Sequence, residues 1–180
     1  MKNNSVQPTW TCSPVQVNSV SINDDGSRCV YGTSFERGKG YFSTNLIEGS
    51  GNQLWKNDTE STETVQGVFW VDIRGNGNYV ASGGELSQSE AHKYESTGFL
   101  KAYSADTGAE ILNVITISRV NQVSLSKDGQ YLAACFGNTF EVYPFNTTTQ
   151  LYELIVTEIS TNYNINSCKI SRNGNTVVAS

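Results

Sequence analysis

Several residue types that build active sites and membrane spans are scarce in this chain. Its 180 residues include one histidine, one methionine and three prolines. No uninterrupted apolar stretch approaches the ~20 residues that a membrane-spanning helix needs. The chain has 12 basic and 17 acidic residues, which gives a net charge of −5. Because binding to a nucleic-acid backbone rests on clustered Lys and Arg, we expect neither a nucleic-acid partner nor a membrane.

The start of the chain bears on its cellular location. The segment MKNNSVQPTWTCSPV lacks the apolar core of a secretory signal, which favours a cytoplasmic protein. The alternative is an extracellular one, since Asn3, Asn57 and Asn146 each begin an Asn-x-Ser/Thr triplet of the kind that is glycosylated in exported proteins. Such triplets also arise by chance in chains rich in Asn and Thr.

The four cysteines occur singly, and no C-x-x-C pair is present. They are Cys12, Cys29, Cys135 and Cys168. This spacing argues against a zinc site. Three of them fill strand positions where other parts of the chain carry Val, Leu, Ala or Gly, which favours buried thiols that act as small hydrophobic groups. A disulfide between neighbouring strands is the alternative for an exported protein.

Residues that could do catalytic chemistry are few. His92 lies in a polar stretch, residues 84–98, and is best interpreted as a surface loop residue, because a mobile loop holds a catalytic histidine poorly. Asp72 stands among apolar neighbours in FWVDI. It could line an inner channel or pair with Arg74, but a carboxylate that accepts backbone N–H groups is the favoured interpretation. We expect no enzyme activity, metal or cofactor.

What the chain does have is a fourfold repeat. The copies read NSVSINDDGSRCVYG, FWVDIRGNGNYVASG, NQVSLSKDGQYLAAC and NSCKISRNGNTVVAS, and their turn glycines lie 51, 52 and 45 residues apart. These glycines are Gly26, Gly77, Gly129 and Gly174. Repeats of this length are supersecondary modules that bury their faces against one another, and the length suits one blade of a β-propeller.

Each copy predicts a strand, a tight turn and a second strand. Apolar residues stand six and four positions before the glycine, on one face of a strand. They are Val20 and Ile22, Val71 and Ile73, Val123 and Leu125, and Cys168 and Ile170. Asp or Asn directly before the glycine suits a hairpin turn. Two further strands follow in the first three copies, for example GFLKAYS and AEILNVITI in the second and NTFEVYPFN and LYELIVTEI in the third.

The sequence therefore predicts an all-β propeller made of four-stranded antiparallel blades. The predicted units are an N-terminal segment 1–15, blades at 16–66, 67–117 and 118–163, and the first hairpin of a fourth blade at 164–180. Propellers close with about four to eight blades, so something must cover the outer faces of this arc. Residues 9–17 could supply a closing strand, giving a four-bladed monomer or a homodimeric ring. The third possibility is that the chain is the front part of a longer propeller.

The repeat resembles those of WD40-like and quinoprotein-dehydrogenase-like propellers. Residues 123–133, VSLSKDGQYLA, match the first hairpin of such a blade closely, but the Gly-His and Trp-Asp pairs of strict WD40 repeats are missing. Residues 102–108, AYSADTG, are similar to the quinoprotein-type motif, with Ser104 where Asp is usual and Leu112 in place of its tryptophan; Trp55 holds that tryptophan's place in the first copy. The resemblance implies a non-enzymatic scaffold that binds proteins, or alternatively a fragment of a quinoprotein-type oxidoreductase.

Candidate binding residues lie in the loops that join the second strand to the third within a copy. These loops differ in length between the copies, and long loops on a rigid scaffold often carry recognition. The candidates combine aromatic and charged groups of the kind that dominate interfaces. They are Phe35, Arg37, Glu90, His92, Lys93 and Tyr94. We expect a protein or peptide ligand there, although ordinary solvated loop residues would look the same in the sequence.

Overall fold

The protein is all-β in the part of the chain that its structure describes. A computed structural model describes residues 16–35, 41–60, 67–88, 96–160 and 163–180, and these ranges contain β-strands and turns but no helix. A helix long and apolar enough to cross a membrane is accordingly not found within them. The all-β prediction is confirmed.

Each copy of the repeat forms its own antiparallel sheet. The first sheet contains β1 to β4 in sequential order: Val17–Ile22, Arg28–Thr33, Tyr41–Glu48 and Gln53–Glu60. The second contains β5 to β8 in the same order: Gly67–Ile73, Tyr79–Gln88, Ser96–Ser104 and Glu110–Thr116. The turn glycines have φ values between 71° and 76°, a left-handed conformation that glycine adopts without a steric penalty.

The third sheet departs from the predicted four strands. Its strands β9 to β13 are Val120–Leu125, Tyr131–Phe136, Thr139–Asn146, Leu151–Tyr152 and Val156–Ile159, and β12 and β13 both pair with β11. LYELIVTEI, predicted as one strand, is therefore interrupted. Pro144 explains the break: the N–H of Phe145 donates to Gln130 on the β10 side, so the nitrogen of Pro144 faces the outer strand and has no hydrogen to donate.

The fourth sheet is a hairpin of β14, Cys168–Ile170, and β15, Val177–Ala179. Its pairing closes around Gly174 as the other first hairpins close around their glycines. The fourth copy thus contributes two strands within the described residues.

The four sheets stack through their first strands. We call β1, β5, β9 and β14 the lead strands. β5 contacts β1 and β2 of the sheet before it, β9 contacts β5 and β6, and β14 contacts β9 and β10. The lead strands β5, β9 and β14 therefore each lie against the first two strands of the preceding sheet, and the same junction occurs three times.

Three apolar clusters fill these junctions. The first joins Val30, Phe42 and Leu46 to Val68, Val71, Ile73 and Phe99. The second joins Ala81, Leu100 and Ala102 to Val120, Val123, Leu125 and Leu132. The third joins Ala133, Cys135, Phe140 and Val142 to Cys168 and Ile170. Burial of such side chains stabilises by about 1.5–3 kcal/mol each, so the junctions between sheets, rather than the single sheets, hold the core.

Candidate functional site

The sheets have two different ends. Their turn end carries the hairpin turns at Gly26, Gly77, Gly129 and Gly174 and the turns between third and fourth strands. Their loop end carries the connections from the second strand to the third and from one sheet to the next. Neighbouring loops touch: Ser34 forms an isolated bridge with Gly67, and the N–H of Ile165 donates to the carbonyl of Gly137 at 2.6 Å. Within the described residues the loop end is thus joined between the first and second sheets and between the third and fourth.

One sequence-predicted binding residue, Phe35, can be placed at this loop end. Phe35 is half-buried and follows Ser34, whose hydroxyl donates to the side-chain oxygen of Asn18 at 2.8 Å. The other candidates, Arg37, Glu90, His92, Lys93 and Tyr94, lie outside the described residues. Their approach to one another stays a prediction.

Other exposed groups at the loop end were not found from the sequence. Ile117 is 73% exposed and Tyr163 is 79% exposed. Between them in sequence, the guanidinium of Arg119 lies over the ring of Phe69, 5.4 Å from its centroid. Exposed aromatic, aliphatic and Arg side chains on one surface are typical of protein interfaces. Ile117 belongs to the connection 117–119 and Tyr163 to the connection 160–167, which join one sheet to the next, whereas the predicted candidates belong to connections between second and third strands.

Polar side chains link the lead strands to one another. The Ser19 hydroxyl accepts the N–H of Val71 at 3.1 Å, and the Ser21 hydroxyl accepts that of Ile73 at 3.4 Å. The same relation recurs at both later junctions, where Leu125 donates to Asp72 at 2.9 Å, Cys168 to Gln122 at 3.0 Å and Ile170 to Ser124 at 3.3 Å. These bonds satisfy backbone groups that face the preceding sheet.

Asp72 is fully occupied by this network. Its buried carboxylate accepts from the Nε of Arg74 at 2.9 Å, from the hydroxyl of Ser21 at 3.2 Å and from the N–H of Leu125. It is the one acidic residue in the four lead strands. Since its oxygens are committed to three partners, Asp72 joins the first, second and third sheets and is not a free general base.

Opposite charges meet at the turn end. The Asp24 carboxylate lies 3.1 Å from the ammonium of Lys127 and 3.2 Å from the guanidinium of Arg172. The hydrogen bond from Lys127 holds the pKa of Asp24 below its ordinary value, and Arg172 lowers it further. All three residues stand two positions before a turn glycine, as does Gly75, where an added β-carbon would lie 1.8 Å from the carbonyl oxygen of Lys127. The hairpin turns that follow the four lead strands therefore lie close to one another.

The segment AYSADTG, residues 102–108, makes contacts with the preceding sheet. The indole N–H of Trp55 donates to the carbonyl of Ala105 at 2.8 Å, and its ring lies 5.3 Å from that of Tyr103. The side-chain amide of Asn57 donates to the carbonyl of Gly108 at 3.0 Å. The turn after β7 is thus a seat for Trp55 of the preceding sheet.

No group of three His, Cys, Asp or Glu side chains that could hold a metal ion occurs in residues 16–35, 41–60, 67–88, 96–160 and 163–180. The described acids near the lead strands are engaged with neighbouring cations and N–H groups, as at Asp72 and Asp24. The arrangement is therefore a set of packed sheets whose loop end exposes both apolar and charged side chains.

Comparison with known proteins gives a fold likeness. No protein-family model matches the chain, and no curated protein matches its sequence. Among solved structures it is similar to Kuenenia stuttgartiensis hydrazine synthase, with a TM-score of 0.60 and 14% sequence identity over 89% of this chain. The match covers 54% of that chain, so this protein spans about half the length of the structure it resembles. At this identity the likeness concerns the arrangement of the β-sheets alone.

Proposed function

We propose that the four sheets are successive blades of a β-propeller and that the protein is a non-enzymatic scaffold that binds a protein or peptide at its loop end. The propeller part of the proposal is supported by the threefold repetition of one junction. At each junction a lead strand packs on the first two strands of the preceding sheet, and polar side chains of one lead strand accept N–H groups of the next.

The contacts among the hairpin turns that follow the lead strands support an arrangement of the four sheets around a common axis. Asp24 of the first sheet and Arg172 of the fourth form an ion pair although 148 positions separate them in the chain. Sheets stacked in a straight row would place the first and fourth far apart, since stacked sheets lie about 10 Å from each other. Curvature around an axis near Asp24 brings them together.

The single observation that carries the binding proposal is the exposure of Ile117 and Tyr163 at the loop end. Apolar side chains of this size lose water contact favourably when a partner covers them. The cation of Arg119 beside Phe69 adds a group that is enriched at interface hot spots. In this proposal the candidates predicted from the sequence, Phe35, Arg37, Glu90, His92, Lys93 and Tyr94, extend the same surface.

Two further observations favour a scaffold over a redox enzyme. The one carboxylate in the lead strands is committed to three partners, and the AYSADTG segment provides the seat of Trp55. Both features stabilise junctions between sheets. A propeller fold serves many functions, so the fold likeness to hydrazine synthase carries no activity to this chain.

The proposal is tested by changing the two ends of the sheets separately. The loop-end variant is Ile117→Ser with Tyr163→Ser. The matched turn-end control is Leu54→Ser with Leu151→Ser, which also removes two exposed apolar side chains. Each immobilised protein is incubated with an extract of the cells that produce it, and captured proteins are quantified by mass spectrometry. We expect recovery of the specific partner to fall at least about tenfold in the loop-end variant and to be retained in the control.

Two results would contradict the proposal. Equal capture by the loop-end variant and the wild type would remove the loop end as the binding surface. An absorbance band of a bound quinone in the purified protein would favour the oxidoreductase alternative. Thermal melting of both variants serves as the folding control, since exposed substitutions of this kind change stability by about 0.5 kcal/mol or less.

A further inference from the structure

Two cysteine thiols meet at the junction between the third and fourth sheets. Cys135 in β10 and Cys168 in β14 are both buried within the same apolar cluster. They share Gln122 as a neighbour: Cys135 lies opposite Gln122 in the β9–β10 pairing, and the thiol of Cys168 donates to the carbonyl of Gln122 at 3.5 Å. The two thiols therefore lie in one buried cluster beside the same residue.

The repeat explains why these two positions face each other. Cys135 stands six residues after its turn glycine, and Cys168 stands six before the next one. The corresponding pair at the preceding junction is Gly83 and Val123, where a β-carbon added to Gly83 would lie 3.1 Å from the Val123 side chain. The first junction has Gly32 and Val71 at these places. Only at the last of the three junctions do both positions carry a thiol, so the contact is specific to the fourth sheet.

Both thiols are in place to react with each other when the sheets are packed. The thiolate is the reactive form of cysteine, and a thiolate that attacks a mixed disulfide on its neighbour completes a disulfide bond. Because the two side chains belong to one buried cluster, that bond would join β10 to β14.

We infer that Cys135 and Cys168 are a modification site at which a disulfide oxidant, of the oxidised-glutathione class, forms a reversible covalent bond between the third and fourth sheets. The thiolate of one cysteine attacks one sulfur of the oxidant, forms a mixed disulfide and releases the first reduced thiol. The thiolate of the other cysteine then attacks the protein sulfur of that mixed disulfide and releases the second. The protein loses two electrons and two protons, and one disulfide of the oxidant is reduced to two thiols.

Burial sets the condition for this reaction. Neither thiol is exposed, so the oxidant must reach them while the β14–β15 hairpin is displaced from the third sheet. That hairpin has two described strands, and Val178 on it is 63% exposed, whereas the residues at its place in the other copies are buried. Elements with few buried contacts open most readily. Once formed, the disulfide holds the hairpin in place.

The test treats the purified full chain with oxidised glutathione and follows its mass. We expect a loss of about 2 Da for the internal disulfide, faster in low concentrations of urea that favour hairpin opening. Cleavage after Glu141, Glu153 and Glu158 by a glutamyl endopeptidase separates the two cysteines and should give one disulfide-linked peptide pair. The oxidised chain should melt about 5–10 °C higher than the reduced chain.

The control variants use residues that the repeat itself supplies. Cys135→Ser introduces the residue found at that place in the fourth copy, and Cys168→Val the residue found in the other three. Both should fold and lose the linked peptide and the melting shift, whereas Cys12→Ser with Cys29→Val should keep them. A wild-type chain that forms no linked peptide, or that pairs Cys12 or Cys29 instead, would overturn the inference.

Discussion

The first and second sheets are built on one pattern, yet their lead strands differ in exposure. Val20 and Ile22 of the first sheet are 65% and 60% exposed, while Val71 and Ile73, which hold the same places in the second, are buried. The residues of the third and fourth lead strands at these places are buried as well. The difference lies in the neighbours: a preceding sheet covers β5, β9 and β14, and within the described residues none covers β1.

This contrast shows that a single sheet of the repeat does not bury its own lead strand and needs a neighbouring sheet to do so. In the second, third and fourth sheets the apolar pair on the lead strand is covered by the first two strands of the preceding sheet, whose lead strand also supplies the hydroxyl or carboxylate acceptors. Such modules gain stability mainly from neighbour interfaces. The face around Val20 and Ile22 therefore has the composition of a junction without one partner.

The largest difference is expected when one apolar side chain is removed from the covered lead strand β5 and one from the exposed lead strand β1. Ile73→Ala should lower the free energy of unfolding by about 2–5 kcal/mol, because it leaves a cavity in the first junction. Ile22→Ala should change it by about 0.5 kcal/mol or less. Urea unfolding of both variants measures the difference. A comparable loss at Ile22 would show that another surface covers the first sheet in solution.

A smaller effect is expected from the polar links between lead strands. Asp72→Ala removes the acceptor of the buried Leu125 N–H and should cost about 1–3 kcal/mol. Lys169 stands at the same place in the fourth sheet and is exposed, so Lys169→Ala should cost no more than about 0.5 kcal/mol. The pair is compared by thermal unfolding. An equal loss of stability in the two variants would mean that the hydrogen bonds of Asp72 do not stabilise the folded protein.

The smallest effect should come from the ion pairs that join the first sheet to the third and fourth. The pKa of Asp24 is lowered in the folded state, so its contribution is present at neutral pH and is lost as the pH falls below its ordinary value of 3.8. Asp24→Asn should therefore melt slightly below the wild type at pH 7, and the two should converge in acid or at high salt. A difference that persists at pH 2 would assign the effect to hydrogen bonding and not to charge.

Much of the fold could be predicted from the repeat, because the turn glycines and the apolar pairs are local signals. They gave the four hairpins and the all-β class. The interruption of LYELIVTEI was missed because its cause, Pro144, lies on the neighbouring strand. Of the candidate site, the loop end could be chosen from topology, but Ile117 and Tyr163 could not, since their exposure depends on how the connections between sheets lie over the packed strands.

The sequence by itself determined where strands and turns occur and which face of each lead strand is apolar, because alternation and turn chemistry act between residues close in the chain. Only the tertiary structure decided which of these faces is covered, that Asp72 reaches the third sheet, and that Cys135 meets Cys168. Those contacts join residues about one repeat apart, and they depend on how the sheets curve together, a property that no local pattern specifies.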